Sequence, residues 1–231
     1  MIELRYNAGN IKDPNVHKIG VIALGSHLEN HGPALPIDTD AKIASKIALE
    51  ASLKSGAKFL GVIYPAYEID EINHGIHNSL NELIKNIINI LKQAQKFLFI
   101  EKVVIVNAHG GNLDLALHLD KIENETNLLI QLNNKIIEIE GPHGGSGELS
   151  MGKVLGIVNE EETKNQGNVK LYGEIGLFEF DKARINDPNI EKGAKEIEIE
   201  GVYIDEKYGE ELLSIGVNSV LLDIEKFLDI N

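Results

Sequence analysis

Histidines and carboxylates gather in three polar, glycine-containing segments of this 231-residue chain. Mixed imidazole and carboxylate groups bind zinc, iron(II) or manganese, and a carboxylate can bridge two such ions. Ions held in this way activate water and polarise carbonyl groups, so the segments predict a metal-dependent hydrolytic site. The candidates for metal binding and proton transfer are Glu29, His31, Asp40, His109, His143 and Glu148, and the candidate substrate contacts include Asn107 and Ser146.

The histidines outside these segments divide into two pairs. His74 and His77 precede a predicted helix, and we predict that they line the substrate pocket. The alternative, in which both are solvated or cap that helix, stays open at this point. His17 and His118 have no acidic neighbours, and we predict that both are ordinary solvated residues.

Composition restricts the possible partners and chemistry. The absence of cysteine excludes disulfides, zinc fingers, iron–sulfur clusters and a thiol nucleophile. A net charge of -14 predicts that nucleic acid is not a partner. No apolar run is long enough for a bilayer and no secretory leader is recognisable, so we predict a cytoplasmic protein without membrane contact. The arginines are Arg5 and Arg184, so a substrate phosphate would need a metal, a lysine or a helix N-terminus.

Alternating strands and helices predict a layered α/β fold with a mostly parallel sheet in a single domain, residues 1–231. Ligands bind such sheets at the carboxyl ends of the strands, which is where the polar segments fall. Apolar, β-branched runs predict strands at residues 19–24, 58–64, 102–106 and 128–132. Apolar residues at helical spacing predict helices around residues 43–51, after the capping box of Ser79 and Glu82, and from about Glu210 to Leu228.

Two further segments combine isoleucine with acidic residues in near alternation. They are residues 135–140 and 196–200. Alternation of this kind is typical of strands with one exposed face, so we predict a hairpin or a sheet edge there.

The three polar segments resemble the motifs of the creatininase family. Residues 107–112 resemble the family's Asn-x-His-Gly-Gly-Asn loop, and residues 143–148 resemble its His-x-Gly-x-x-Glu motif, with Ser150 in the expected place. Together with Gly201-Val202-Tyr203, the resemblance spans about residues 20–228. In the first segment it is carried by Gly25-Ser26, Glu29, His31-Gly32, Leu35-Pro36 and Asp40.

The resemblance implies a three-layer α/β/α sandwich that hydrolyses linear or cyclic amides and assembles as a homo-oligomer, a dimer or a hexamer. It also implies one or two metal ions per subunit, and we predict iron(II), with zinc or manganese as alternatives. By position, the resemblance assigns Glu29 and His109 to one metal, His31 to the other, Asp40 as the bridge, Glu148 as a further ligand and His143 as the proton shuttle.

Departures from the family pattern bear on the substrate. Gly111 stands where creatininase has an acidic ligand, and the chain has no tryptophan, so creatinine is not the predicted substrate. The sequence is most similar to an archaeal branch of the family that deformylates a formylaminopyrimidine ribonucleotide monophosphate, in riboflavin and deazaflavin coenzyme F420 biosynthesis. We predict that reaction. The alternatives are an amidase or peptidase for another small linear or cyclic amide, a phosphate-ester hydrolase, and a non-catalytic metal-binding protein.

Overall fold

A parallel sheet lies at the centre of the computed structural model, which describes residues 13–230. Its order is β2-β1-β3-β4. The strands are β1 (Ile19–Leu24), β2 (Lys58–Ile63), β3 (Lys102–Asn107) and β4 (Leu129–Asn133). The four predicted strands are confirmed to within one residue at each end.

Helices cover both faces of this sheet. They are α1 (Thr39–Ser55), α2 (Leu80–Leu98), α3 (Leu119–Thr126), α4 (Lys135–Ile139), α5 (Ser146–Leu155), α6 (Asp181–Asn186), α7 (Pro188–Glu200) and α8 (Glu206–Asp229). Short 3₁₀ segments lie at Pro14–Lys18, Gly110–His118, Glu160–Asn165 and Ile175–Leu177. Among the described helices, none is both long enough and apolar enough to cross a membrane.

Side chains of successive strand residues point to opposite faces of the sheet and build two separate cores. Val21 and Val104 pack on one face against α1 and α8. Ile22 and Ile105 pack on the other face against α2 and α3. Because β1 pairs on both sides and is buried along its whole length, it reads as a continuous apolar run. The predicted three-layer α/β/α sandwich is confirmed.

Local sequence explains where the helices beside β1 and β2 begin and end. Gly56 ends α1 with a left-handed φ of 88°, which costs glycine less than any other residue. Ser79 and Glu82 form the predicted capping box at the start of α2, and the Ser79 N–H donates to Glu82 Oε2 at 3.0 Å. The end of α1 and the start of α2 are therefore fixed at defined residues.

The prediction that residues 135–140 form an exposed strand is wrong, because this segment contains helix α4. Ile136 and Ile137 are adjacent, which breaks a strict alternation. Ile136 is buried in the core under α8, and Ile137 and Ile139 pack against the same core. Helical geometry brings these three side chains to that core, whereas a strand would turn one of the adjacent pair away.

The prediction that residues 196–200 form a strand is also wrong, because they end helix α7. Asp187 caps this helix by accepting from Asn189 N at 2.7 Å, and Pro188 occupies the first turn, where proline is tolerated. Ala194 and Ile197, three residues apart, are its buried positions. The Asp187 cap lies outside residues 196–200. The alternating pattern of that short segment alone therefore predicted a strand where the chain forms a helix. The final helix likewise begins at Glu206, earlier than the predicted Glu210, behind an Asp205 cap.

Gly25, at the end of β1, allows the first turn of α1 to approach the sheet. A Cβ added there would lie 2.6 Å from the carbonyl carbon of Asp40 and 2.7 Å from Ala41 N. Because these are backbone atoms, the clash requires the helix to shift. We predict that Gly25→Ala lowers the free energy of unfolding by about 1–3 kcal/mol, measured by urea denaturation.

Gly110→Ala is the matched control, since no atom lies within 4 Å of a Cβ added at Gly110. Its free energy of unfolding is expected to stay unchanged or to rise by up to about 1 kcal/mol, because alanine restricts the unfolded chain. Equal destabilisation by the two substitutions would contradict the role given to Gly25.

Candidate metal centre

Loops at the carboxyl ends of the parallel strands bring the predicted residues together. The loop after β1 carries Glu29 and His31 and leads into α1, whose first turn contains Asp40. The loop after β2 is tied to it by backbone hydrogen bonds, including Asn30 N to His74 O at 3.0 Å. The histidine–carboxylate cluster formed at this edge consists of Glu29, His31, Asp40, His74, His77, His109, His143 and Glu148.

The Asp40 carboxylate lies between two imidazoles from different loops. Its Oδ1 is 2.8 Å from His31 Nε2, and its Oδ2 is 2.9 Å from His109 Nδ1. His109 Nδ1 is also 2.9 Å from Glu29 Oε2. One ring nitrogen carries at most one proton and cannot donate fully to two carboxylates, whereas a cation can satisfy all of these atoms.

Backbone carbonyls orient the two rings. His31 Nδ1 lies 3.0 Å from Glu29 O, and His109 Nε2 lies 3.1 Å from Tyr67 O. A carbonyl oxygen only accepts, so each of these nitrogens donates its N–H and the opposite nitrogen faces Asp40. Metal-ligating histidines are typically held in this way, with the outer N–H on a carbonyl. The donor set therefore fits a divalent metal.

Charge in the cluster is consistent with a requirement for a cation. Burial disfavours the charged imidazoles, but Asp40 and Glu148 outweigh it and raise the pKa of His31 well above its ordinary value. The same competition between burial and the carboxylates of Glu29 and Asp40 raises the pKa of His109. Against the cost of burial, His109 and His77 hold the pKa of Glu29 well below its usual range. In the metal-free chain, protons supply the positive charge that the carboxylates require.

Glu148 and His143 both lie beside His31. Glu148 accepts a hydrogen bond from Gly144 N at 3.0 Å and lies 3.7 Å from His31 Nε2. Burial raises its pKa to about 7, against the lowering effect of His31. Burial and the neighbouring His31 lower the pKa of His143 well below its ordinary value. Near neutral pH the Glu148 carboxyl can therefore gain or lose a proton, and the neighbouring His143 imidazole is neutral.

Three buried residues near the cluster were not predicted from the sequence. Glu68 Oε2 lies 3.6 Å from His109 Nε2. Glu140 is buried with its Oε2 unpaired, and burial together with Glu148 raises its pKa well above the ordinary value. Gln166 donates to His31 O at 2.6 Å and to Gly144 O at 2.8 Å, which joins two site loops. None of the three lies in a motif, and only the fold brings them close.

The predicted substrate contacts have different surroundings. His77 stacks on His109 with ring centroids 5.2 Å apart, and His74 lies 3.2 Å from Glu29. Asn107 is fully buried, and its side-chain oxygen accepts from His109 N at 3.2 Å, which supports the loop after β3. Ser146 Oγ accepts from Tyr203 N at 3.1 Å at the start of α5. Their contacts with substrate stay predictions.

The other candidate residues that the structure describes lie outside the cluster. Arg184 donates to Glu191 at 2.7 Å and to Phe178 O at 2.8 Å, so its guanidinium is held within the α6–α7 region. Arg5 lies outside the described residues. His118 ends the 3₁₀ segment Gly110–His118, and His17 lies in the one that precedes β1.

The α/β/α sandwich is the fold of the creatininases. A creatinine amidohydrolase (creatininase) crystal structure superposes with a TM-score of 0.62 at 13% identity, covering 90% of each chain. A mutant creatininase described as Zn-Zn type gives 0.59 at 14% identity, covering 89% of this chain and 90% of that one. A further structure, described as creatininase Mn, gives a TM-score of 0.60 at 13% identity, covering 90% of each chain. These likenesses concern the fold.

Sequence comparison shows the family. A sequence model described as creatinine amidohydrolase (Creatininase) matches residues 10–203, and the chain belongs to this family. A protein of Methanobrevibacter ruminantium is 67% identical over 99% of this chain and 98% of its own length. One from Methanobrevibacter smithii is 65% identical over 99% and 100%. Both are named 2-amino-5-formylamino-6-ribosylaminopyrimidin-4(3H)-one 5'-monophosphate deformylase.

The pKa of Glu148 predicts a pH dependence of stability in the metal-free protein. Between the ordinary value of 4.5 and about 7, the folded chain keeps a proton that the unfolded chain has lost. The stabilisation from this group is therefore complete below 4.5 and is lost as pH rises through about 7. We expect Glu148→Gln, which cannot ionise, to show a smaller decline in the free energy of unfolding across that window.

The measurement is urea denaturation with a chelator present, for the unmodified chain and the variant at each pH. The difference between the two chains reports the titration of Glu148 together with that of the groups coupled to it, among them His31. An identical pH dependence in both would show that Glu148 is not protonated in the folded chain at these pH values.

Proposed function

We propose that this chain hydrolyses the formamide of 2-amino-5-formylamino-6-ribosylaminopyrimidin-4(3H)-one 5'-monophosphate and releases formate. The observation that supports this proposal best is the cluster in which the Asp40 carboxylate contacts both His31 and His109. The chain that contains it is 67% identical to a relative named for that deformylation. The relative and this chain match over nearly their full lengths. The reaction would serve riboflavin and coenzyme F420 biosynthesis.

The proposed metal ligands are histidines and carboxylates of the cluster. In each histidine, the ring nitrogen that is not bound to a backbone carbonyl lies close to a carboxylate oxygen. They form two sets that share the bridging Asp40, namely Glu29 with His109, and His31 with Glu148. A divalent metal bound there lowers the pKa of water and polarises a carbonyl. We propose iron(II) as the native metal, with zinc or manganese as functional substitutes, in one or two positions per subunit.

His143 is the proposed proton shuttle. Its Nε2 donates to Asn30 O at 2.8 Å, which leaves Nδ1 as the basic atom, facing Glu29 Oε1 at 3.7 Å. Because its lowered pKa keeps the ring neutral, Nδ1 can accept a proton from the attacking water and return it to the leaving amine. Where only the position at Glu29 and His109 holds metal, Glu148, whose pKa burial raises to about 7 in the metal-free chain, is a second proton source for that amine.

The setting of the cluster favours this chemistry. The side chains of Glu29, His31 and His109 are at most 2% exposed, which excludes bulk water and strengthens their interactions with charge. The chain offers no cysteine nucleophile. The proposal further includes a cytoplasmic location and assembly as a homo-oligomer, a dimer or a hexamer, with a small phosphorylated pyrimidine as substrate and neither nucleic acid nor membrane as partner.

The test is formate release from the formylaminopyrimidine nucleotide under anaerobic conditions. The metal-stripped chain is reconstituted separately with iron(II), manganese and zinc. Formate that depends on added metal supports the proposal and ranks the metals. Tight metal binding without formate, together with hydrolysis of a different small amide, would instead favour a creatininase-like amidase or peptidase.

His109→Ala tests the assigned ligands in the same assay. Loss of an outer-shell partner of a ligand already costs about 10–100-fold, so loss of the ligand should lower formate release by at least about 100-fold. Bound metal, measured by elemental analysis, should fall as well. His27→Ala is the control, since the His27 ring lies outside the histidine–carboxylate cluster and donates its Nδ1–H to Tyr64 O at 2.8 Å. Full metal content and full turnover in His109→Ala would contradict the arrangement.

A further inference from the structure

Two ring nitrogens that could bind a metal lie close to Glu29 Oε1, whereas Glu29 Oε2 lies beside His109. Glu29 Oε1 lies 3.2 Å from His74 Nε2 and 3.7 Å from His143 Nδ1. One donor atom from each of the three residues lies within 4.8 Å of the other two. The side chains of Glu29 and His74 are 1% and 2% exposed, and that of His143 is 13% exposed. The group is therefore an interior one with one more accessible member.

A single carbonyl oxygen orients both rings. His143 Nε2 lies 2.8 Å from Asn30 O, and His74 Nδ1 lies 3.3 Å from the same atom. Since a carbonyl has two lone pairs and no proton, it accepts an N–H from each ring. His74 Nε2 and His143 Nδ1 are then left with lone pairs that face the Glu29 carboxylate. His74 Nε2 is buried and makes no hydrogen bond.

Three acceptors that face one another without a donor are unfavourable unless a cation lies between them. Two imidazole nitrogens and one carboxylate oxygen suit a borderline transition metal better than magnesium or calcium.

We propose that Glu29, His74 and His143 form a further binding position for a divalent transition metal, separate from the two sets that share Asp40. Glu29 would use Oε1 here and Oε2 towards His109. Metal at this position would occupy the lone pair of His143. If His143 is the shuttle, a consequence that rests on the proposed function is inhibition of formate release by excess metal.

Zinc stoichiometry tests the proposal. The chain and two variants, His74→Leu and His27→Leu, are dialysed against a zinc series, and bound metal is counted. The unmodified chain and His27→Leu should bind equal amounts, and His74→Leu should bind about one equivalent less per chain. Thermal melts establish that both variants fold. A folded His74→Leu chain that binds as much zinc as the unmodified chain overturns the proposal.

Nitrogen NMR of the histidine rings provides a second measurement on the unmodified chain. Without metal, His74 should carry its proton on Nδ1 and His143 on Nε2, and zinc should shift His74 Nε2 and His143 Nδ1. A proton on His74 Nε2 in the metal-free chain, or no shift of these nitrogens with zinc, overturns the proposal. Both measurements omit the nucleotide, so their failure is distinct from a failure of formate release.

Discussion

The contact on which this site depends is the Asp40 carboxylate with His31 on one oxygen and His109 on the other. These residues come from the loop after β1, the first turn of α1 and the loop after β3. Burying a carboxylate is costly unless its charge is matched, so the three segments are stable together only with positive charge between them. Protons can supply that charge in the metal-free chain, and the ring orientations suit a metal in the same place. Metal binding and the stability of the loops therefore depend on the same contacts.

The sheet places the loops that carry these residues next to each other. β1 and β3 are adjacent and parallel, with Leu24 paired to Asn107, so their following loops emerge side by side. Buried polar groups then hold each loop at the required position. Asn107 supports the His109 backbone, and Gln166 joins the His31 loop to Gly144. Loss of such a group would leave buried donors or acceptors unpaired as well as displacing a ligand.

Local patterns in the sequence were sufficient for much of the fold. The strands and the Ser79 capping box depend on neighbouring residues, and both were predicted. The short segments 135–140 and 196–200 were misread, because in them a strand pattern and a helix pattern differ by only one or two side chains. Six members of the cluster were predicted from motifs and family resemblance, whereas His74 and His77 were predicted only to line the substrate pocket. The positions of Glu68, Glu140 and Gln166 near the cluster were not predicted. Their proximity depends on contacts between segments that are distant in the sequence, which no local pattern indicates.

Anomalous diffraction at the zinc edge, from crystals of the chain grown with zinc, tests most directly whether a metal lies between Asp40 and the two imidazoles. We expect a zinc ion in contact with Asp40, bound by His109 through Nδ1 and, where a second ion is present, by His31 through Nε2. The outer nitrogens of both rings should remain on the carbonyls of Tyr67 and Glu29. Absence of zinc at Asp40, or coordination of His109 through Nε2, would contradict this arrangement.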